Sequence, residues 1–125
     1  MKHEERIILY TTDGGNVAVS VRFEDEDFWM TQKAIGELFG VGVAAVSKHI
    51  KNIYDDEELS PDATVSKMEI VQDEGNRSVK RLVDFYNLDM IIAVGYRVNS
   101  IKATRFRQWA TKTLHEYIQK GFVLN

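Results

Sequence analysis

The sequence predicts an α+β domain, a winged helix-turn-helix-like fold with two β-hairpins and about four main helices. Three observations predict it. Two stretches rich in Val, Ile and Tyr, residues 6–11 and 17–23, flank Asp13-Gly14-Gly15 and read as a hairpin with a glycine-bearing turn. The segment 30–54, MTQKAIGELFGVGVAAVSKHIKNIY, carries apolar residues at helical spacing on both sides of a glycine. A second strand-turn-strand pattern over residues 64–86 follows it directly, and helical periodicity fills what remains.

A chain of 125 residues with 44% apolar content can bury one core, so residues 1–125 are expected to form a single domain. Its parts are the hairpin 5–23, the helix-turn-helix 31–54, a wing hairpin 64–86 and C-terminal helices over 88–120. No run of about 18 apolar residues occurs, nor an apolar stretch behind a basic leader, so nothing argues for membrane insertion or secretion. The absence of cysteine excludes disulfides, thiolate metal sites and cysteine nucleophiles. It also fits a reducing cytoplasm, the expected location.

Charge is distributed unevenly. Residues 1–89 hold 10 Lys/Arg against 18 Asp/Glu, a balance of -8; residues 90–125 hold 6 against Glu116 alone, a balance of +5. The acids cluster at Glu24-Asp25-Glu26-Asp27 and at Asp55-Asp56-Glu57-Glu58. Neither run has the spaced ligands of a calcium loop, so both read as solvated turns and no metal site is expected.

Each element has a local cause. Alternation in VAVSVRF puts Val17, Val19, Val21 and Phe23 on one strand face. Phe28-Trp29 form a short extended piece leading to Thr31, whose hydroxyl suits an N-cap. Ile35, Leu38 and Phe39 then recur at helical spacing and stop at Gly40, which tolerates the left-handed backbone of a helix end. Gly36 is expected where two steeply crossing helices approach. The second helix spans about 43–54; Val46, Ile50 and Ile53 make its apolar stripe. Beyond Pro61 the strands 64–72 and 77–86 surround Asp73-Glu74-Gly75-Asn76. Asn87 caps a helix through LDMIIAVGYRV, apolar nearly all round and so expected to be central. Asn99-Ser100 starts the last helix, with Phe106, Ala110, Thr113, Leu114 and Tyr117 on one face, Trp109 at its edge, and Gly121 as its stop.

This arrangement leaves a definite set of side chains for a duplex. Ser47, Lys48 and Lys51 face outward on the second helix, where a major groove would meet them, with Thr31 and Gln32 at the start of the first helix. Arg77, Lys80 and Arg81 on the wing are placed to follow a phosphate backbone. Arg105 and Lys112, flanked by Gln108 and Gln119, form a secondary basic face on the last helix. No enzyme is expected: His3, His49 and His115 are far apart and belong to no metal or nucleophile motif, and no phosphate-cradling glycine loop is present. No cofactor is expected either.

RIILYTTDGGNVAVSVRFEDEDFWMTQKAIGELFGV, SKHIKNIY and FYNLDMIIAVGYRVNSIKATRFRQWATKTLHEYIQKGF resemble the N-terminal region of the virulence protein RhuM family, over essentially the whole chain. The order of a helix-turn-helix-like start and a late FRQWATKTL helix is more distantly similar to the DNA-binding N-terminal domains of phage antirepressors of the BRO and KilA type. The resemblance implies a bacterial protein of pathogenicity islands and mobile elements, an antirepressor-like regulator that binds double-stranded DNA. Family members are usually longer, so an excised domain or a short version is expected. Where relatives carry polar or basic residues entering the second helix, this chain has Gly42, Val43, Ala44 and Ala45, which cannot make the paired contacts Arg or Asn makes with purines. Weak or shape-directed binding is therefore expected. The competing expectation is a protein-protein interaction module on the same scaffold, which binds a repressor, a toxin or a second copy of itself.

Overall fold

Alternating β-branched and aromatic residues make strands β1 (Arg6–Thr12) and β2 (Val17–Glu24), paired antiparallel from Arg6↔Phe23 to Thr12↔Val17. The structure, a computed structural model, describes residues 6–12, 15 and 17–120; the readings on His3, on Asp13 and Gly14 in the first turn and on the Gly121 stop lie outside them. After β2 the chain reverses through Asp25 and Glu26, whose φ values of 53° and 58° suit the tight turn that matches strand twist. Strand β3 (Asp27–Met30) returns along β2, with Phe23 opposite Phe28. A long ribbon of β4 (Val65–Glu74) and β5 (Arg77–Asn87) turns at Gly75, where φ is 64°.

The two hairpins are not separate units. β3 pairs with β5 through Trp29↔Asn87 and Met30↔Tyr86, which gives one five-stranded antiparallel sheet in the order β1-β2-β3-β5-β4. Beyond Phe85 the β4–β5 pair continues without a third strand, so its outer half is a projecting ribbon exposed from Val71 to Ser78. Between β3 and β4 lie α1 (Gln32–Phe39), α2 (Val43–Asp55) and the single turn α3 (Pro61–Thr64); α4 (Leu88–Val98) and α5 (Ser100–Lys120) follow β5. The described residues are thus mixed α+β with five helices, the four main ones expected and the single turn α3. Pro61 begins α3 because a first helical position needs no amide donor.

Side chains cap α1, α4 and α5. Thr31 Oγ1 accepts from the Ala34 amide at 3.1 Å, Asn87 Oδ1 from Met90 at 3.2 Å and Asn99 Oδ1 from Lys102 at 3.1 Å. The core lies between one sheet face and the helices. Opposed residues of antiparallel strands share a face, so Val19, Val21, Phe23, Phe28, Met30 and Tyr86 point the same way and all are buried. Over them α5 lays Ala103, Phe106 and Ala110, fully buried, with Trp109 and Tyr117 beside them. Tyr10 meets Phe106 edge-on at 5.0 Å, and Phe23 meets Tyr117 at 4.4 Å. α4 buries Met90, Ile91, Ala93, Val94 and Gly95 but not its whole circumference: Leu88 and Ile92 are half-buried and Tyr96 is exposed. It is central on one side only.

The opposite sheet face holds an unexpected arginine. Alternation points Arg22 away from the core, yet it is only 7% exposed. Its Nη1 lies 3.2 Å from Met68 Sδ, its Nη2 donates to the Glu69 carbonyl at 3.4 Å, and its guanidinium stacks 4.7 Å from the Phe85 ring centre. β2 and β4 are three strand positions apart, about 14 Å in a flat sheet, beyond one side chain's reach. The sheet therefore curls, and the ribbon arches over the back of β2.

Candidate nucleic-acid interface

Gly40 ends α1 in the left-handed conformation (φ 79°), and its amide donates to the Gly36 carbonyl at 2.8 Å. A Cβ on Gly36 would lie 2.5 Å from the Val41 carbonyl oxygen. The close approach that requires glycine there is to the turn backbone, not to the body of the second helix. α2 starts from Gly42, which has no side-chain cap, and its amphipathic pattern fixes its rotation. Val46, Ile50 and Ile53 are buried, while Ser47, Lys48 and Lys51 are exposed on the other side.

Charge along α2 is polar from end to end. The first turn has no acidic residue and unpaired amides, the positive end of the helix dipole. The far end carries Asp55, Asp56, Glu57 and Glu58. Lys51 Nζ pairs with Asp55 at 2.7 Å, and that hydrogen bond with its charge holds the ammonium above its ordinary pKa. Both side chains are mostly exposed, so water or a phosphate can replace the carboxylate readily. Among the described residues Lys48 makes no ion pair. The second acid run is not simply solvated: Arg97 of α4 pairs with Asp56 at 3.3 Å and Glu58 at 3.2 Å. Nor is Asp27 of the first run. Burial pushes its carboxyl above the ordinary range, against the pull of amide bonds from Phe28 (2.7 Å) and Leu88 (3.4 Å).

Other expected residues are placed differently. Thr31 caps α1, and Gln32 Nε2 donates to the Tyr86 hydroxyl at 3.1 Å, so both are engaged inside the fold. On the ribbon Arg77 and Arg81 share a face, whereas Lys80 points to the other. Arg81 is held by Glu74 at 3.0 Å through Nε, while among the described residues Arg77 and Lys80 make no ion pair. Arg105 and Lys112 are exposed on α5, whose inner stripe packs on β1–β3, and form a surface apart from α2. His49 is half-buried with Nδ1 shielded from water, and His115 is exposed. Sequence reasoning missed Arg22 and Arg97, whose partners come from distant strands and loops and leave no local signal.

No curated protein and no solved structure matches the chain. The model of the virulence protein RhuM family matches residues 63–125, which comprise the end of α3, the ribbon, α4 and α5 and exclude α1 and α2. That extent is half the molecule, narrower than the whole-chain resemblance expected, and it includes the long apolar-to-basic run from Asn87 onward. No helix among the described residues is long and apolar enough to cross a membrane. The chain belongs to the virulence protein RhuM family.

Proposed function

We propose that the chain is a DNA-binding regulatory domain of winged-helix type that engages duplex DNA through α2 and the β4–β5 ribbon, with weak or shape-directed specificity. The carrying observation is the exposure of Ser47, Lys48 and Lys51 along a helix whose other side is anchored by Val46, Ile50 and Ile53. A helix mounted this way offers a rigid rod of the width a major groove admits. Its dipole favours phosphate near the start and its lysines along the middle, and its terminal acids hold the far end away. Gly42, Val43 and Ala44 supply no paired hydrogen bonds for a base, so affinity rests on phosphate contacts and duplex shape. Arg77 and Lys80 add phosphate contacts from the ribbon. An antirepressor-like role in the cytoplasm, with no cofactor, follows from this reading.

Fluorescence anisotropy of a labelled random-sequence duplex over a salt series tests it. Affinity should fall linearly on a log-log plot, and Lys48→Glu with Lys51→Glu should weaken binding and reduce the slope by about 2, from roughly 0.9 per lost phosphate contact. No association in dilute buffer would end the proposal. One observation favours a second reading: Val43 is 48% exposed beside exposed Ala44, an apolar patch at the head of α2 that suits a protein groove. That reading makes the domain a protein-protein interaction module for a repressor, a toxin or a second copy. It requires an association that is indifferent to the two lysines and sensitive to Val43→Asp.

A further inference from the structure

α4 carries an apolar stripe that the fold does not cover. Leu88, Ile92 and Tyr96 recur every fourth residue and so run down one side of the helix. With Leu59, from the loop after α2, they floor a groove of 420 Å3. Leu59, Leu88 and Ile92 are half-buried; Tyr96 is 44% exposed. The stripe spans about 12 Å, at 1.5 Å per residue, which matches roughly two turns of a docked helix. The rim is acidic. Glu58 and Asp89 line it and Asp56 and Glu57 adjoin it, against Arg107 on one wall and Arg97, which is shared between Asp56 and Glu58, so four acids face two arginines.

We propose that this groove docks a basic amphipathic helix of a partner protein, its apolar side on Leu88, Ile92 and Tyr96 and its lysines or arginines against Glu58 and Asp89. The charge of the rim selects the occupant. A polyanion is repelled by it. A second copy offers one basic helix, α5, but spends that helix's apolar stripe on Tyr10, Phe23 and Phe28; Ile101 is the only large apolar residue on α5 recorded as exposed among the described residues. The groove lies on α4 and the loop after α2, so the inference does not depend on DNA binding.

The test uses the whole chain and two labelled amphipathic peptides with the same leucine face, one with lysine and one with glutamate on the polar face, read by anisotropy. The lysine peptide should bind and the glutamate peptide should not. Glu58→Lys with Asp89→Lys should weaken the lysine peptide roughly tenfold or more. Asp73→Lys with Glu74→Lys, the same charge change at the exposed tip of the β4–β5 ribbon, about 30 Å along β5 from Leu88 at roughly 3.3 Å per residue, should leave it within about twofold, since screening limits charge effects to roughly 10 Å. Tyr96→Asp, at a position 44% exposed, should also cost roughly tenfold. Thermal melts confirm that each variant is folded. Binding of both peptides alike, equal weakening by the two charge reversals, or indifference to Tyr96→Asp would overturn the proposal. So would a dimer in light scattering that Tyr96→Asp dissolves, because the groove would then hold a second copy.

Discussion

Replacing Gly95 with alanine tests how closely α4 is packed between α1 and α5. The new Cβ would lie 2.8 Å from Ala103 Cβ and 2.8 Å from Phe39 Cε1, and closer still to Phe39 Cζ. Carbon atoms rest about 3.5–4.0 Å apart, so the overlap approaches an ångström. Neither neighbour can yield alone: the Phe39 ring is 3% exposed, and Ala103 is fully buried on the backbone of α5. The helices must separate or the ring must leave its rotamer, and overpacking of this kind costs about 1–3 kcal/mol. Alanine returns about 1 kcal/mol of helix propensity. Two simultaneous overlaps put the cost near the upper end, for a net loss of about 1–2 kcal/mol. At roughly 3–5 °C per kcal/mol for a domain of this size, the melting midpoint should fall by about 3–10 °C. Urea unfolding followed by far-ultraviolet circular dichroism and by tryptophan fluorescence gives the free energy directly. A Gly95→Ala variant as stable as the parent would refute the close approach of the three helices and, with it, the account of why α4 is half-buried and half-open.

Other expectations are simpler. Gly42→Asp places a capping carboxylate where φ is -80° and a Cβ meets nothing within 4 Å; the unfolding free energy from urea titration should rise by a few tenths of a kcal/mol, while duplex affinity drops because the new charge faces the phosphates. Thr64 donates its one hydroxyl proton to the Ser60 carbonyl at 2.7 Å, so the Tyr54 hydroxyl, 2.8 Å away, must donate to Thr64. Thr64→Val strands both partners and should cost about 1–3 kcal/mol in urea unfolding, with Thr64→Ser largely retaining stability. For Asp27 the folded carboxyl has the higher pKa, so the folded state takes up the proton first, and stability is lost as pH rises through that value. Asp27→Asn removes this dependence. The advantage of the variant over the parent, measured by urea midpoints, should therefore shrink as pH falls from neutral into the mildly acidic range, and an advantage that grows on acidification would contradict the burial of Asp27.

Much of the fold is written in local patterns. The alternation of β2, the stripe of α2 and the caps at Thr31, Asn87 and Asn99 each involve residues within a turn or two of one another, and the structure has them as read. What the patterns do not carry is pairing between distant segments. The joining of the two hairpins rests on Trp29↔Asn87 and Met30↔Tyr86, and nothing within β3 identifies β5 as its neighbour. Arg22 shows the same gap from the other side. Its outward direction follows from the strand period, but its burial follows from the curl of a ribbon that begins more than forty residues later. Two features had signals that went unread: Ser60-Pro61 is a helix-start pair, and the spacing of Leu88, Ile92 and Tyr96 already marks a separate stripe within an apolar helix.

For the candidate site, exposure and local direction were legible and distant pairing was not. Lys48 and Lys51 had to face outward once Val46, Ile50 and Ile53 were assigned inward, because one helix cannot bury both sets. The strand period already put Arg77 and Lys80, three residues apart, on opposite faces of the ribbon, and the N-cap reading of Thr31 already engaged its hydroxyl; what the sequence could not show is that Gln32 donates to Tyr86, 54 residues away. These placements concentrate the case for DNA on α2, and α2 also divides the two proposed surfaces. Its dipole favours an anion at the uncapped start, Lys48 stands mid-helix and Lys51 one turn before the end, paired with Asp55; the acids gather at that end, beside the groove of α4. A polyanion is thereby directed to the start and middle of the rod, and a basic helix to its acidic end. Lys48→Glu should consequently weaken the duplex and leave the lysine peptide unchanged, whereas Tyr96→Asp should do the reverse. If either substitution moved both ligands together, they would share a surface, and the division of charge along α2 would not be what separates them.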